Sequence, residues 1–212
     1  MVQIDDAGSG SLVGGTCIGL YYDKKRFFKF DFIPLSLYTP DNFKKKLYQK
    51  HVVKIIDNFF RELSIPCDEP IEVCRGYIFD DLRDYLTMKK YKWKNAKIEG
   101  VLQEKVEETF ADYAVSLGLP QSYVSYTKYP FHFHKLLRWV YADYEKRKNL
   151  CKTGWKSWQK YGNLPVDIFD GYLYKGGYFC LKCGRKIDPE SRVKILRFFS
   201  NKENLLYLHL EC

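Results

Sequence analysis

Cys180 and Cys183 stand two residues apart, His209 and Cys212 stand two apart again, and 25 residues separate the pairs. Two thiolates at that spacing can grip one ion from a knuckle turn. The second pair closes a tetrahedral set of three sulfurs and one imidazole nitrogen, which is the donor set of structural zinc. Four protein ligands leave no open position, so a catalytic metal is not expected there. A module built around these pairs has too small a core to hold by itself, and metal binding becomes part of its folding free energy. The seven cysteines are odd in number and three of them belong to this pattern, which argues against a disulfide scaffold.

Upstream the hydrophobic pattern is that of an α/β domain. VQI, GGTCIGLYY and RFFKFDFIPL are three apolar runs joined by tight connections, and they predict an opening meander of three strands. After Pro40, with Asp41 near the N-cap, Val52, Ile55, Ile56, Phe59, Phe60 and Leu63 recur at three and four and predict an amphipathic helix ending before Pro66. IEVCRG is the fourth strand candidate and YIFDDLRDYL a short helix or turn. NAKIEGVL reads as a strand running into the helix LQEKVEETFADYAVSLGLP, which stops at Gly118 and Pro120. One further short strand is allowed for in YVSYTKYPF, before a helix spanning HKLLRWVYADYEKRKNL. His132 and His134 in PFHFH alternate as strand residues would, and both read as structural. The Gly-rich stretch GNLPVDIFDGYLYKGG holds the expected boundary, giving a domain over 1–163 and the zinc-binding module over 164–212. In that module Val193, Ile195, Leu196, Phe198 and Phe199 are expected to supply two strands of a ribbon.

Two features bear on function. Lys and Arg number 35 against 26 acids, a net charge of +9 that favours a polyanionic partner such as nucleic acid. The N-terminus carries acids where a secretory signal carries a basic stretch, and no apolar run approaches the roughly 18 residues of a membrane span. A cytoplasmic protein without membrane contact is therefore expected, with its oligomeric state left open.

The second feature is IDDAGSGSL, residues 4–12, where a strand ends in two carboxylates before a glycine-rich turn. Mg²⁺ or Mn²⁺ is held by a few carboxylates together with water and substrate phosphate, so Asp5 and Asp6 make a metal site only if further acids converge on them. The candidates are Glu72, Asp80 or Asp81, Glu99 and Asp143. Each has a plainer reading as a helix cap, a solvent-facing strand residue or, for Asp143, a partner of Arg147 one turn on. GSGSLVGG fits neither the Walker A spacing nor the dinucleotide G-x-G-x-x-G.

IDDAGSGSLVGGTCIGLYY resembles the opening hairpin of type 2 ribonuclease H, D-E-A-G-R-G-x-L-x-G-P followed by an apolar strand. Asp5 falls on the first catalytic acid, Asp6 on the glutamate, and Ala7, Gly8, Gly10, Leu12 and Gly14 on their counterparts. Ser9 stands where that family has a substrate-contacting arginine, Gly15 where it has proline, and its D-S-K motif is absent. The element order is similar to that of the wider ribonuclease H-like superfamily, which includes resolvases, transposases and integrases. The resemblance implies a mixed sheet flanked by helices, with later acids near the end of the fourth strand and on the last helix. By order these match Glu72 or Asp80/Asp81, and Asp143. CLKCG with its distant HxxC likewise resembles a treble-clef or zinc-ribbon finger.

Residues 145–162, EKRKNLCKTGWKSWQKYG, space Lys148, Lys152, Lys156 and Lys160 four apart with Trp155, Trp158 and Tyr161 interleaved. Lysines there can meet phosphates while the aromatics stack on bases, or the same residues form a solvated face above a packed core. The expectation is a metal-dependent nuclease or resolvase that cleaves phosphodiesters with two Mg²⁺ or Mn²⁺ ions. The competing class is a non-catalytic nucleic-acid or protein-binding module that keeps the fold and a structural zinc.

Overall fold

The structure, a computed structural model, describes residues 1–125 and 131–212. Contacts divide the chain into two compact units, Met1–Gly10 with Gly14–Leu117, and Ser11–Val13 with Gly118–Cys212. This division falls elsewhere than the boundary expected from composition at 163/164.

The first unit is an α/β layer structure. β1 (Val2–Ala7), β2 (Thr16–Tyr22) and β3 (Phe27–Ile33) form the meander, with β1 continuing through both aspartates. α1 (Pro40–Lys44) and α2 (Leu47–Leu63) follow, then β4 (Ile71–Cys74), α3 (Asp80–Met88), β5 (Trp93–Ala96) and α4 (Val101–Ser116). The strands form one mixed sheet in the order β3-β2-β1-β4-β5. β2 is antiparallel to β1 and β3, while β4 and β5 run parallel to β1.

The two faces of this sheet are covered by different helices, for reasons visible in the residues. Val52, Ile55, Ile56, Phe59 and Phe60 of α2 are buried against Val2, Ile4, Ile18, Leu20, Ile71 and Val73, which alternate on one face of β1, β2 and β4. Burial of side chains this size contributes roughly 1.5–3 kcal/mol each, which outweighs the modest helix propensity of the β-branched residues. On the opposite face α4 buries Leu102, Val106, Phe110 and Ala114. A Cβ on Gly19 would come 2.2 Å from Val106 Cγ1, so glycine at that point lets α4 lie close on β2. Gly8, at φ +85°, turns the chain out of β1 in a conformation that L side chains rarely adopt, and a Cβ there would overlap the Phe110 ring.

The second unit contains α5 (Gln121–Ser125), α6 (Phe133–Ala142), α7 (Tyr144–Arg147), α8 (Lys156–Tyr161) and a three-stranded antiparallel sheet of β6 (Asp167–Leu173), β7 (Ser191–Phe199) and β8 (Glu203–His209), in that order. The expected short strand in YVSYTKYPF falls largely on residues 126–130, outside the described residues. Other expectations need correction. The helix predicted through residues 134–150 breaks at Asp143, whose backbone is not helical (φ −150°, ψ 64°), and a short α7 and one 3-10 turn follow. His132 caps α6 and His134 lies inside it, so neither is a strand residue. The Gly-rich stretch is not a bare linker, because β6 (Asp167–Leu173) pairs along its whole length with β7 (Ser191–Phe199). The apolar run 193–199 makes one strand rather than two, and its second partner is β8 (Glu203–His209). None of the helices is long and apolar enough to cross a membrane, among the described residues.

Candidate functional site

Among the described residues, two groups of metal-ligating side chains have their donor atoms within 4.8 Å of one another: Cys180, Cys183, His209 and Cys212, and Asp5, Asp6 and Cys74.

The first group is the one legible in the sequence. Cys180 and Cys183 sit on a tight knuckle in which the Gly184 N–H donates to Cys180 O at 2.8 Å and the Cys180 N–H to Arg185 O at 2.9 Å. His209 ends β8, and the Cys212 N–H turns back to its carbonyl at 3.1 Å. Cys183 Sγ lies 3.3 Å from His209 Nδ1, while His209 Nε2 lies 3.2 Å from Lys186 O. That arrangement fixes the ring as a metal ligand requires, with one nitrogen facing the sulfurs and the other held by a carbonyl. A tetrahedral zinc with bonds of about 2.3 Å to sulfur and 2.0 Å to nitrogen separates its ligands by roughly 3.5–3.8 Å, so the cluster fits the ion. Burial pushes the Cys183 thiol up, but hydrogen bonds from Arg185, Cys180 and His209 outweigh it and bring it down to about 6. Cys212 moves the other way, to about 12, through burial and its contacts with the other two thiols. A lowered Cys183 thiol supplies the thiolate that a metal ligand must be.

The second group joins the acidic doublet to a residue that the sequence reading left among the unassigned thiols. Parallel pairing sets Gln3 beside Glu72 and Ile4 beside Val73, so the next step of the register brings Asp5 beside Cys74 at the carboxyl ends of β1 and β4. Asp5 is 6% exposed. Burial raises its carboxyl above the usual range, hydrogen bonds from the Cys74 thiol and the Asp6 backbone oppose that, and the charge of Glu107 on α4 raises it further. Burial and the hydrogen bond to Asp5 hold the Cys74 thiol up at about 11, so it stays protonated and donates. Asp6 points to the other face of β1 and reaches the same place around the strand end: a methyl group on Gly76 would lie 3.4 Å from Asp6 Oδ1. Arg83 secures this turn by donating to Cys74 O at 2.7 Å and Gly76 O at 3.0 Å.

A search against known protein families and curated proteins finds no match for this chain.

The remaining expected acids do not join Asp5 and Asp6 in this cluster. Glu72 shares a face with Asp5 but lies two residues down the strand from Cys74, about 7 Å at the usual rise per residue. It accepts from Gln3 at 3.0 Å and pairs with Lys94 at 3.0 Å, which hold its carboxyl below the usual range. Asp80 pairs with Arg83 at 2.7 Å in the first turn of α3. Asp81 shares a shallow surface groove with Lys50, Lys54 and Asp84. Glu99 is exposed and ion-paired with Lys97. Asp143 belongs to the second unit, where its carboxylate is 3.9 Å from Lys182 Nζ. Cys74 was reachable from sequence as the last residue of the fourth strand, and Glu107 as an acid on the helix after the fifth. Choosing them required the register and the position of α4.

The basic segment is not one lysine-lined face. Lys152 is 0% exposed and its ammonium lies 5.2 Å from the Trp155 ring centroid, so as a phosphate contact it is corrected to a core residue. Lys148 pairs with Glu145 at 2.6 Å. Trp155 and Trp158 are half-buried at and in α8, and Lys156 and Lys160 on the same helix are exposed.

Proposed function

We propose that the first unit is a ribonuclease H-like domain that binds a divalent cation at Asp5, Asp6 and Cys74 and acts on the phosphodiester bonds of nucleic acid. The observation that carries this reading is the meeting of those three side chains at the carboxyl ends of adjacent parallel strands. That is the end of an open α/β sheet where ligands bind. The sheet order, with β2 alone running against its neighbours, supports the resemblance drawn from IDDAGSGSL. In that resemblance an acid is expected near the end of the fourth strand, and here the position is held by Cys74. A cation there would supply positive charge to a phosphate oxygen and acidify bound water. Asp5 and Asp6 would hold it from the two faces of β1, and the low exposure of Asp5 keeps bulk water from one side of the site. A sulfur donor favours Mn²⁺ over the harder Mg²⁺. The net charge of +9 supports a polyanionic substrate.

Cys74 also favours a second reading, in which the fold binds nucleic acid without cutting it. Incubating the chain with Mg²⁺ or Mn²⁺ and RNA·DNA hybrid, duplex, single-stranded and branched substrates separates the two. Cleavage that is stronger in Mn²⁺ and lost in Asp5→Asn is expected. Cys74→Asp, which restores a hard ligand, is expected to raise the Mg²⁺-supported rate. Absence of cleavage on every substrate in both metals overturns the catalytic reading.

A further inference from the structure

Within the second unit a cavity of about 840 Å³ opens beside the zinc knuckle, a volume in the range of pockets that take nucleotide-sized ligands. Its walls come from the knuckle and its approach (Tyr178, Phe179), from β8 (Tyr207), from α5 (Tyr123) and from α6 (Lys135, Arg138). Phe179 is 53% exposed and Tyr178 38%, and the Tyr178 and Tyr207 rings meet edge to face at 4.8 Å. Large rings left this open have flat faces available to a second ring.

The charge at the cavity wall is unusual. Arg138 is half-buried and spends its donors on neutral acceptors: Asn204 Oδ1 at 3.3 Å, Leu205 O at 3.0 Å and the Tyr123 side chain. Among the described residues its guanidinium makes no ion pair, so a positive charge faces an aromatic cavity without a carboxylate to balance it. Glu203, the acid among the described lining residues, is exposed and makes no ion pair with Arg138; it is an acceptor suited to the amino edge of a base.

We propose that this cavity receives an unpaired nucleotide, with its base against the Tyr178, Phe179 and Tyr207 rings and its phosphate on Arg138. Planar stacking is tolerant of base identity, and the guanidinium N–H groups that Asn204, Leu205 and Tyr123 leave over can donate to phosphate oxygens. A purely apolar ligand would leave the guanidinium charge unanswered. An acidic peptide would answer the charge but not the flat exposed rings. The inference concerns a site in the second unit and does not rest on cleavage at Asp5.

The test is fluorescence anisotropy of a labelled single-stranded 12-mer with the zinc-loaded full chain. It is run in the Asp5→Asn background, so that failure here and failure of the catalytic reading are separate results. Phe179→Ala is expected to weaken binding about 5- to 150-fold, the range for loss of one stacked base. Arg138→Gln is expected to lower the slope of log affinity on log salt by about one. Because Arg138 also holds Leu205 O, Tyr178→Ala serves as a second surface variant, with zinc content and thermal melting as folding controls. Competition by unlabelled strand, or by a mononucleotide at higher concentration, supports the site and tells whether the nucleotide comes free or in a chain. Affinity and salt slope unchanged in folded Phe179→Ala and Tyr178→Ala overturn the proposal. So does displacement by polyglutamate as readily as by the strand, which would assign the cavity to acidic peptide.

Discussion

Arg147, the last residue of α7, gives the sharpest test of how the Cys180–Cys183 knuckle is held. Its guanidinium donates through Nη1 to Trp139 O at 2.6 Å and to Leu181 O at 2.8 Å, and through Nη2 to Lys182 O at 2.8 Å. Leu181 and Lys182 are the two residues between the knuckle cysteines, so one side chain grips both carbonyls of the loop that presents the thiolates. The guanidinium also stacks 4.0 Å over the Trp139 ring. In Arg147→Met the aliphatic stem stays and the fork is lost. Hydrogen bonds from a charged donor contribute roughly 1.5–3 kcal/mol each, so three of them sum to about 4.5–9 kcal/mol. Keeping a guanidinium half-buried costs several kcal/mol in turn, which the lowering of its proton affinity by burial reflects. A net loss of about 3 kcal/mol is expected in urea unfolding at saturating zinc. The apparent zinc affinity, measured by chelator competition, is expected to fall 10- to 100-fold, as for loss of other groups that orient metal ligands. A variant with affinity within about threefold of the parent and stability within about 0.5 kcal/mol would refute the reasoning, since the knuckle would then be held by its own turn.

Native mass spectrometry is expected to find one zinc per chain, lost when Cys180, Cys183 or Cys212 becomes Ser or His209 becomes Ala, and chelation is expected to melt β6–β8 in circular dichroism. The carboxylate of Glu69, buried beside Tyr22, is held down at about 2 by Lys24, by the Met1 amino group and by the Tyr22 hydroxyl. A depressed carboxylate stabilises above its unfolded value near 4.5 and loses that contribution as pH falls toward 2. Stability of the parent should therefore drop more steeply than that of Glu69→Gln across this window, by up to about 1.4 kcal/mol per pH unit. Lys156→Ala with Lys160→Ala is expected to leave the melting temperature unchanged while lowering the salt slope of nucleic-acid binding by up to about two. Lys152→Ala should instead lower the melting temperature, because that side chain is enclosed.

Local chemistry was readable along the chain. The CxxC and HxxC pairs need only short turns to face one ion, so their spacing carried a cluster that can hold zinc. The three opening strands and the face of α2 followed from apolar periodicity, since each such element buries one side. The same reasoning stopped at Asp143, where the spacing of Leu136, Val140 and Tyr144 extends across a residue whose backbone is not helical. It also stopped at the lysines: spacing four apart says which residues share a helix face, but α7, a 3-10 turn and α8 are separate pieces, and one of the four lysines is enclosed.

The acidic site divides along the same line. IDDAGSGSL by itself determined a strand that ends in two carboxylates and a turn that glycine makes. Which residue answers Asp5 was decided by tertiary pairing alone. A parallel register sets Cys74 beside it, 69 positions along the chain, and leaves Glu72 two residues lower on the same face. Sequence order places an acid near a strand end, but only the hydrogen-bonded ladder decides which side chain arrives there, because a shift of one residue sends every side chain to the other face.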